Sequence, residues 1–147
     1  MECFVIRTDG GARGNPGPAG SGAVVERVTD DGLELVAEVS QYVGETTNNI
    51  AEYKAVIFAL EAVKQQARSL PVEVEAVLDS QLIVEQMNGR YKVKNEGLKP
   101  LYQRVRELVM ELGGAVTFRH VFRAENKHAD RLVNEAIDRA LTELAAV

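Results

Sequence analysis

The chain has 147 residues with 22 acidic and 17 basic side chains, a formal charge of -5, and 46% apolar and 27% charged residues. Those fractions exclude a disordered or fibrous protein, and the length predicts one domain spanning 1–147 that buries about two-thirds of its unfolded surface. The single cysteine, Cys3, excludes an internal disulfide, and no apolar run approaches the roughly 20 residues of a membrane span or follows a basic start; a cytoplasmic protein with no membrane partner is expected.

Residues 3 to 9 (CFVIRTD) read as a strand ending at Asp9. The following DGGARGNPGPAGSG holds six of the twelve glycines and two of the four prolines, which predicts a loop. The segments 22–28 and 33–43 alternate apolar and polar residues around Asp30-Asp31-Gly32, predicting an antiparallel hairpin beside strand one. From Thr47 to about Ala67, Val56, Ala59, Leu60 and Val63 recur at helical spacing behind a Thr-Asn-Asn cap. VEVEAVLD (72–79) reads as a strand ending at Asp79, and 80–88 as a short helix capped by Ser80 and stopped by Gly89. A polar connection leads to a helix near 99–112, a strand at 115–122 and a last helix from about Asn126 to Ala146. The order β-β-β-α-β-α-α-β-α implies an α/β fold: a mixed five-stranded sheet, order 3-2-1-4-5, with helices on both faces.

Net charge conceals a division. Residues 90–131 hold ten basic and five acidic side chains, a local charge of +5, and the remainder carries -10. An acidic chain thus contains a basic third able to meet a polyanion.

Four carboxylates stand out. Asp9 and Asp79 end two strands expected to lie parallel and adjacent at the sheet's centre, where open α/β sheets place their sites. Glu52 and Asp130 each lead an apolar helical row, Val56, Ala59, Leu60 and Val63 for the first and Val133, Ile137, Leu141 and Leu144 for the second. Each has a structural alternative. Glu52, in the first turn of its helix, closes a capping box with Asn49; Asp130 favours the positive end of its helix; Asp9 and Asp79 are turn residues. Together, four acids at one end of one sheet repel one another unless compensated. With no Cys or His cluster to select zinc, the natural compensation is a hard divalent cation with oxygen ligands, Mg²⁺ or Mn²⁺. Two such ions about 4 Å apart suit in-line displacement at phosphorus.

These strings, TDGGARGNPGPAGSGAV, TTNNIAEYKAVIFAL, LDSQLIV and HVFRAENKHADRLVNEA, come in the order found in type 1 ribonuclease H, and the chain resembles that family over essentially its whole length. The resemblance implies hydrolysis of RNA paired to DNA, with two Mg²⁺ held by Asp9, Glu52, Asp79 and Asp130. It implies that Asp9 bridges the ions, Asp130 holds the one activating water, and Glu52 with Asp79 the one facing the leaving oxygen. It further implies hybrid-binding roles for Gly11, Asn15, Asn48, Asn49 and Gln81, and a phosphate of the DNA strand gripped by Thr47 and Asn48. Amide side chains and a glycine backbone suit a minor groove with its 2'-hydroxyls, read without regard to sequence.

The chain also departs from the family's pattern. The basic, Trp-rich protrusion of many bacterial members is absent, leaving Arg90, Lys92, Lys94 and Lys99 as substitutes. The mobile histidine before the last acid is missing too: His120 falls within a strand and His128 within the final helix, so Arg123 becomes the candidate phosphate-facing helper. Competing readings are a related nuclease acting also on double-stranded RNA, a non-catalytic nucleic-acid binder, and a nucleotide-binding module. The last conflicts with the strand, rather than helix, that follows the glycine tract. The last helix offers Leu132 or Leu144 to a neighbour, but an isolated exposed leucine is common, and a monomer is expected.

Overall fold

The structure is a computed structural model that describes residues 1–146. Five strands, β1 (Cys3–Ala12), β2 (Gly17–Thr29), β3 (Gly32–Thr46), β4 (Glu73–Leu78) and β5 (Ala115–His120), form one sheet in the order β3-β2-β1-β4-β5. β1, β2 and β3 pair antiparallel, whereas β4 runs parallel to β1 and to β5. The helices are α1 (Asn48–Gln66), α2 (Gln81–Met87), α3 (Lys99–Glu111) and α4 (Lys127–Ala145), with a 3-10 turn at Arg123–Glu125 before α4. This is the predicted mixed sheet and strand order. Among the described residues, no helix is long and apolar enough to cross a membrane.

The glycine tract is where the structure corrects the sequence reading. β1 does not stop at Asp9, and β2 already begins at Gly17, so the tract is two paired strand ends joined by a short turn at 13–16. Glycine is a poor strand former on entropic grounds. Here helices lie so close to the sheet that only glycine fits beneath them. A Cβ on Gly10 would stand 2.3 Å from the α1 backbone at Ala51 and Glu52, and one on Gly22 would stand 2.4 Å from the Ala129 carbonyl of α4. Neighbouring phases of the strands therefore carry α1 on one face of the sheet and α4 on the other.

The main core lies on the α1 side. Phe4, Ile6, Tyr53, Val56, Leu60, Ile83, Leu108 and Leu112 are almost fully buried there, α3 packing outside α1. Each such side chain contributes about 1.5–3 kcal/mol relative to exposure. On the other face α4 buries Ala129, Leu132, Val133, Ala136 and Ile137. The apolar row headed by Asp130 ends sooner than expected, because the last two turns of α4 contain no buried residue and Leu144 is 63% exposed. Leu132, expected to face a neighbour, is buried where Gly22 leaves room for it.

Local capping chemistry explains the helix starts. Thr47 Oγ1 accepts a hydrogen bond from Ile50 N and Ser80 Oγ from Ile83 N, each satisfying an amide left open at a helix amino end. Because Thr47 is the cap, Glu52 lies beyond the first turn and closes no capping box with Asn49. Its carboxylate is left to the site.

Candidate active site

The parallel ladder between β1 and β4 ends at the pair Thr8 and Leu78, so the next residue on each strand is an aspartate. Asp9 is 3% exposed; Asp79 follows the last residue of β4. Glu52 reaches the same point from α1, and oxygens of Asp9, Glu52 and Asp79 lie within 4.8 Å of one another. Asp130, in the first turn of α4, acts electrostatically on Asp9 but stands outside that three-residue group.

The electrostatics follow from burial. Burial, and then the charges of Asp79, Asp130 and Glu52, push the Asp9 carboxyl up to about 8. Glu52 rises to about 7, chiefly through burial; a hydrogen bond to Ser80 opposes this, Asp79 reinforces it, and the Arg123 guanidinium opposes it again. Gly10 N donates to Asp9 Oδ1 at 2.9 Å, but the buried Asp79 Oδ2 has no hydrogen-bond partner among the described residues. Crowded, largely shielded, oxygen-only donors with an orphaned carboxylate oxygen fit a hard divalent cation.

The other predicted residues divide between two places. Asn15 and Asn48 interlock: Asn48 N donates to Asn15 Oδ1 at 3.0 Å, and Ala12 N donates to Asn48 Oδ1 at 2.7 Å. These bonds staple the β1–β2 turn to the start of α1 and set it beside the carboxylates. A cleft of about 400 Å³ next to them is lined in part by Gly11, Asn48, Arg123 and Asp130. Asn49 is half-buried in the first turn of α1, and Gln81 is exposed as the first residue of α2, just past Asp79. Lys92 and Lys94 are not part of this cleft. They sit on the connection between α2 and α3, where Lys92 lines a separate groove with Tyr91, Lys99 and Tyr102. Arg90 and Lys99 are engaged by Glu85 and Glu96 at 2.6 Å each, so Lys92 and Lys94 are the cations of that connection without an ion pair among the described residues. His128 pairs with Glu38 of β3, and His120 ends β5 with its ring edge-on to Phe122.

Sequence reasoning missed three supporting residues. Ser80 was legible as a helix cap but not as a partner of Glu52. Asn126 was legible only as the start of the last helix; it does not cap α4 with its side chain. Buried at 1% exposure, it donates from Nδ2 to the Thr8 carbonyl at 2.8 Å, tying α4 to β1 next to Asp9. Arg13, read as one residue of a loop, lines the cleft. Each partnership joins residues distant in sequence, and local pattern carries no signal of it.

Comparison with known proteins places this geometry in a family. Residues 7–136 match the family model described as reverse transcriptase-like. A ribonuclease H from Albidiferax ferrireducens is 34% identical over 159 aligned positions, covering 96% of this chain and 98% of that protein. The chain belongs to the type 1 ribonuclease H family. A solved ribonuclease H1 isolated from compost superposes with a TM-score of 0.86 at 49% identity, covering 96% of this chain and 99% of that one, and that enzyme has also been solved in complex with an RNA/DNA hybrid. A bifunctional protein of Mycobacterium tuberculosis is 46% identical over 143 residues, 97% of this chain, yet this chain spans only 37% of that relative's length. The ribonuclease H fold thus accounts for the sheet order, and its family for the acidic cluster's compatibility with divalent metal.

Proposed function

We propose that this chain is an endoribonuclease that hydrolyses the RNA strand of RNA/DNA hybrids without regard to sequence, leaving 5'-phosphate and 3'-hydroxyl ends. The observation that carries the reading is the oxygen-only cluster of buried Asp9 with half-buried Glu52 and Asp79 in a chain of the ribonuclease H family. Asp9, Glu52, Asp79 and Asp130 would hold two Mg²⁺ ions, with Mn²⁺ as a substitute. When bound, such ions neutralise charge on the scissile phosphate and lower the pKa of attacking water. Asn15, Asn48, Asn49, Gln81 and the Gly11 backbone orient the hybrid by its minor groove, Thr47 contributes to the hold on a DNA phosphate, and Lys92 and Lys94 attract the backbone farther out. The 147 residues act as one catalytic domain, as a monomer, in the cytoplasm.

The experiment that tests this presents end-labelled RNA/DNA hybrid, duplex RNA, duplex DNA and single-stranded RNA with Mg²⁺ or Mn²⁺. Cleavage of RNA paired to DNA, dependent on the metal, is expected; inertness toward the hybrid would overturn the reading, and equal cleavage of duplex RNA would widen it. Arg123 is exposed and close enough to Glu52 to lower its pKa, so it acts on charge at the site rather than on the fold. Arg123→Ala is expected to lower kcat about tenfold, equivalent to about 1.4 kcal/mol of barrier, with an unchanged melting temperature. Steady-state kinetics matching the parent would remove Arg123 from the mechanism.

A further inference from the structure

The cleft beside the carboxylates contains a guanidinium that the proposed cation site does not use. Arg13 stands in the turn between β1 and β2, and its two terminal nitrogens are held by α4: Nη1 lies 2.7 Å from Asp138 Oδ1, and Nη2 donates to Asn134 Oδ1 at 3.3 Å. Asn134 in turn donates from Nδ2 to the Asp130 carbonyl at 3.1 Å, which links the arrangement to the helix turn bearing the fourth carboxylate. Arg123 lines the same cleft and has no ion pair among the described residues. Asn48 also lines it, and because its Oδ1 is occupied by Ala12 N, its amide nitrogen is left to donate. Two guanidinium groups and an amide donor thus surround one polar cleft next to four acids.

Asp138 differs from these groups. Its side chain is 66% exposed, and the pair it makes with Arg13 is a surface pair of little worth to the fold. A carboxylate and a phosphodiester present the same oxygen geometry to a guanidinium fork. We propose that the cleft between the β1–β2 turn and α4 is a second phosphate seat, which takes a backbone phosphate of the bound hybrid away from the scissile one, and that Asp138 is a placeholder anion displaced from Arg13 when that phosphate arrives. Asn134 keeps the guanidinium aimed into the cleft throughout the exchange. The seat rests on the hybrid-cleaving reading above, and it adds a contact that sets substrate affinity rather than chemistry. Its cost is built in, because every productive encounter breaks the Arg13–Asp138 pair.

The test is cleavage kinetics on a hybrid across a salt series, with the full chain and Mg²⁺. Arg13→Ala is expected to raise KM about fivefold at low salt with kcat nearly unchanged, and to reduce the slope of log(kcat/KM) against log[salt] by about 1, the signature of one lost phosphate contact. Asp138→Asn is expected to lower KM about threefold, since Arg13 no longer exchanges one anion for another. Asp31→Asn, the same change of charge at the exposed β2–β3 turn, controls for net charge and is expected to leave KM near the parent value. In the Arg13→Ala background, Asp138→Asn is expected to lose its benefit, because the two residues act through one contact. If Asp138→Asn helps equally with and without Arg13, or if Arg13→Ala leaves both KM and the salt slope unchanged while the parent cleaves hybrid, the seat is overturned and the proposed activity stands. A parent chain that does not cleave hybrid overturns both.

Discussion

Asp9→Asn is expected to abolish divalent-dependent hydrolysis while making the metal-free protein more stable at neutral and alkaline pH. The two effects share one cause. Asp9 is buried among three other carboxylates, and its carboxyl is pushed up from 3.8 to about 8. Between those two values the folded chain retains a proton that the unfolded chain has released, so stability contributed by this group falls as pH rises through the window and levels off above about 8. A tenfold change in acidity corresponds to about 1.4 kcal/mol. With half of the shift retained in a relaxed site, the neutral amide should stabilise the metal-free fold by about 3 kcal/mol at pH 8 and by nothing near pH 4. With metal present the order reverses: the parent gains stability from the bound cation and the variant does not. Loss of the charge stabilisation that bound cations give the transition state should cost on the order of 10³-fold in kcat. Urea denaturation across pH, with chelator and with Mg²⁺, checks the stability half. Full activity in Asp9→Asn, or an identical pH dependence of stability in both proteins, would remove Asp9 from the proposed cation site.

The position of Asp9 at the centre of the sheet is legible in the sequence. The strand order follows from a hairpin feeding a strand-helix-strand crossover, and the positions of Asp9 and Asp79 follow from two parallel neighbouring strands, although only their shared ladder, and not β1 itself, ends just before Asp9. Thr47 and Ser80 are legible as caps because capping is local. What stayed hidden is what depends on neighbours distant in the chain. The glycine tract reads as a loop by composition, and its strand character depends on two helices that press onto it. Leu132 looks available at a helix surface until Gly22 of another strand vacates the space it fills. Basic residues show the same limit. Lys92 and Lys94 look equivalent to Arg90 and Lys99 in sequence, but only the latter pair is neutralised by a neighbouring glutamate. Arg13 escapes notice because its partners, Asn134 and Asp138, are more than 120 residues away.

Gly10→Ala is the second large effect expected, and it strikes fold and site together. A Cβ at this position would lie 2.3 Å from Ala51 C and from Glu52 N, distances at which backbone must move. Retreat of α1 is opposed, because the Ala51 carbonyl accepts a buried hydrogen bond from Ser21 Oγ at 2.6 Å. Overpacking of well-filled interiors costs typically 1–3 kcal/mol, and a contact between backbone segments places this variant near the upper end, at about 3 kcal/mol. For a chain of this size that corresponds to a melting point lowered by roughly 6–12 °C. The displaced backbone nitrogen belongs to Glu52, and Gly10 N is itself the donor to Asp9 Oδ1, so two of the clustered acids shift at once. A misplacement of about 1 Å is worth up to 10²-fold in rate, and the surviving folded fraction should show that loss in kcat rather than in KM. Gly11→Ala supplies the contrast: its Cβ would meet only Val133 Cγ1 at 3.6 Å, an ordinary contact, and its melting point should stay close to that of the parent. If Gly10→Ala melts with Gly11→Ala and keeps the parent kcat, α1 does not sit as tightly on β1 as the structure has it, and the geometry proposed for Glu52 fails with it.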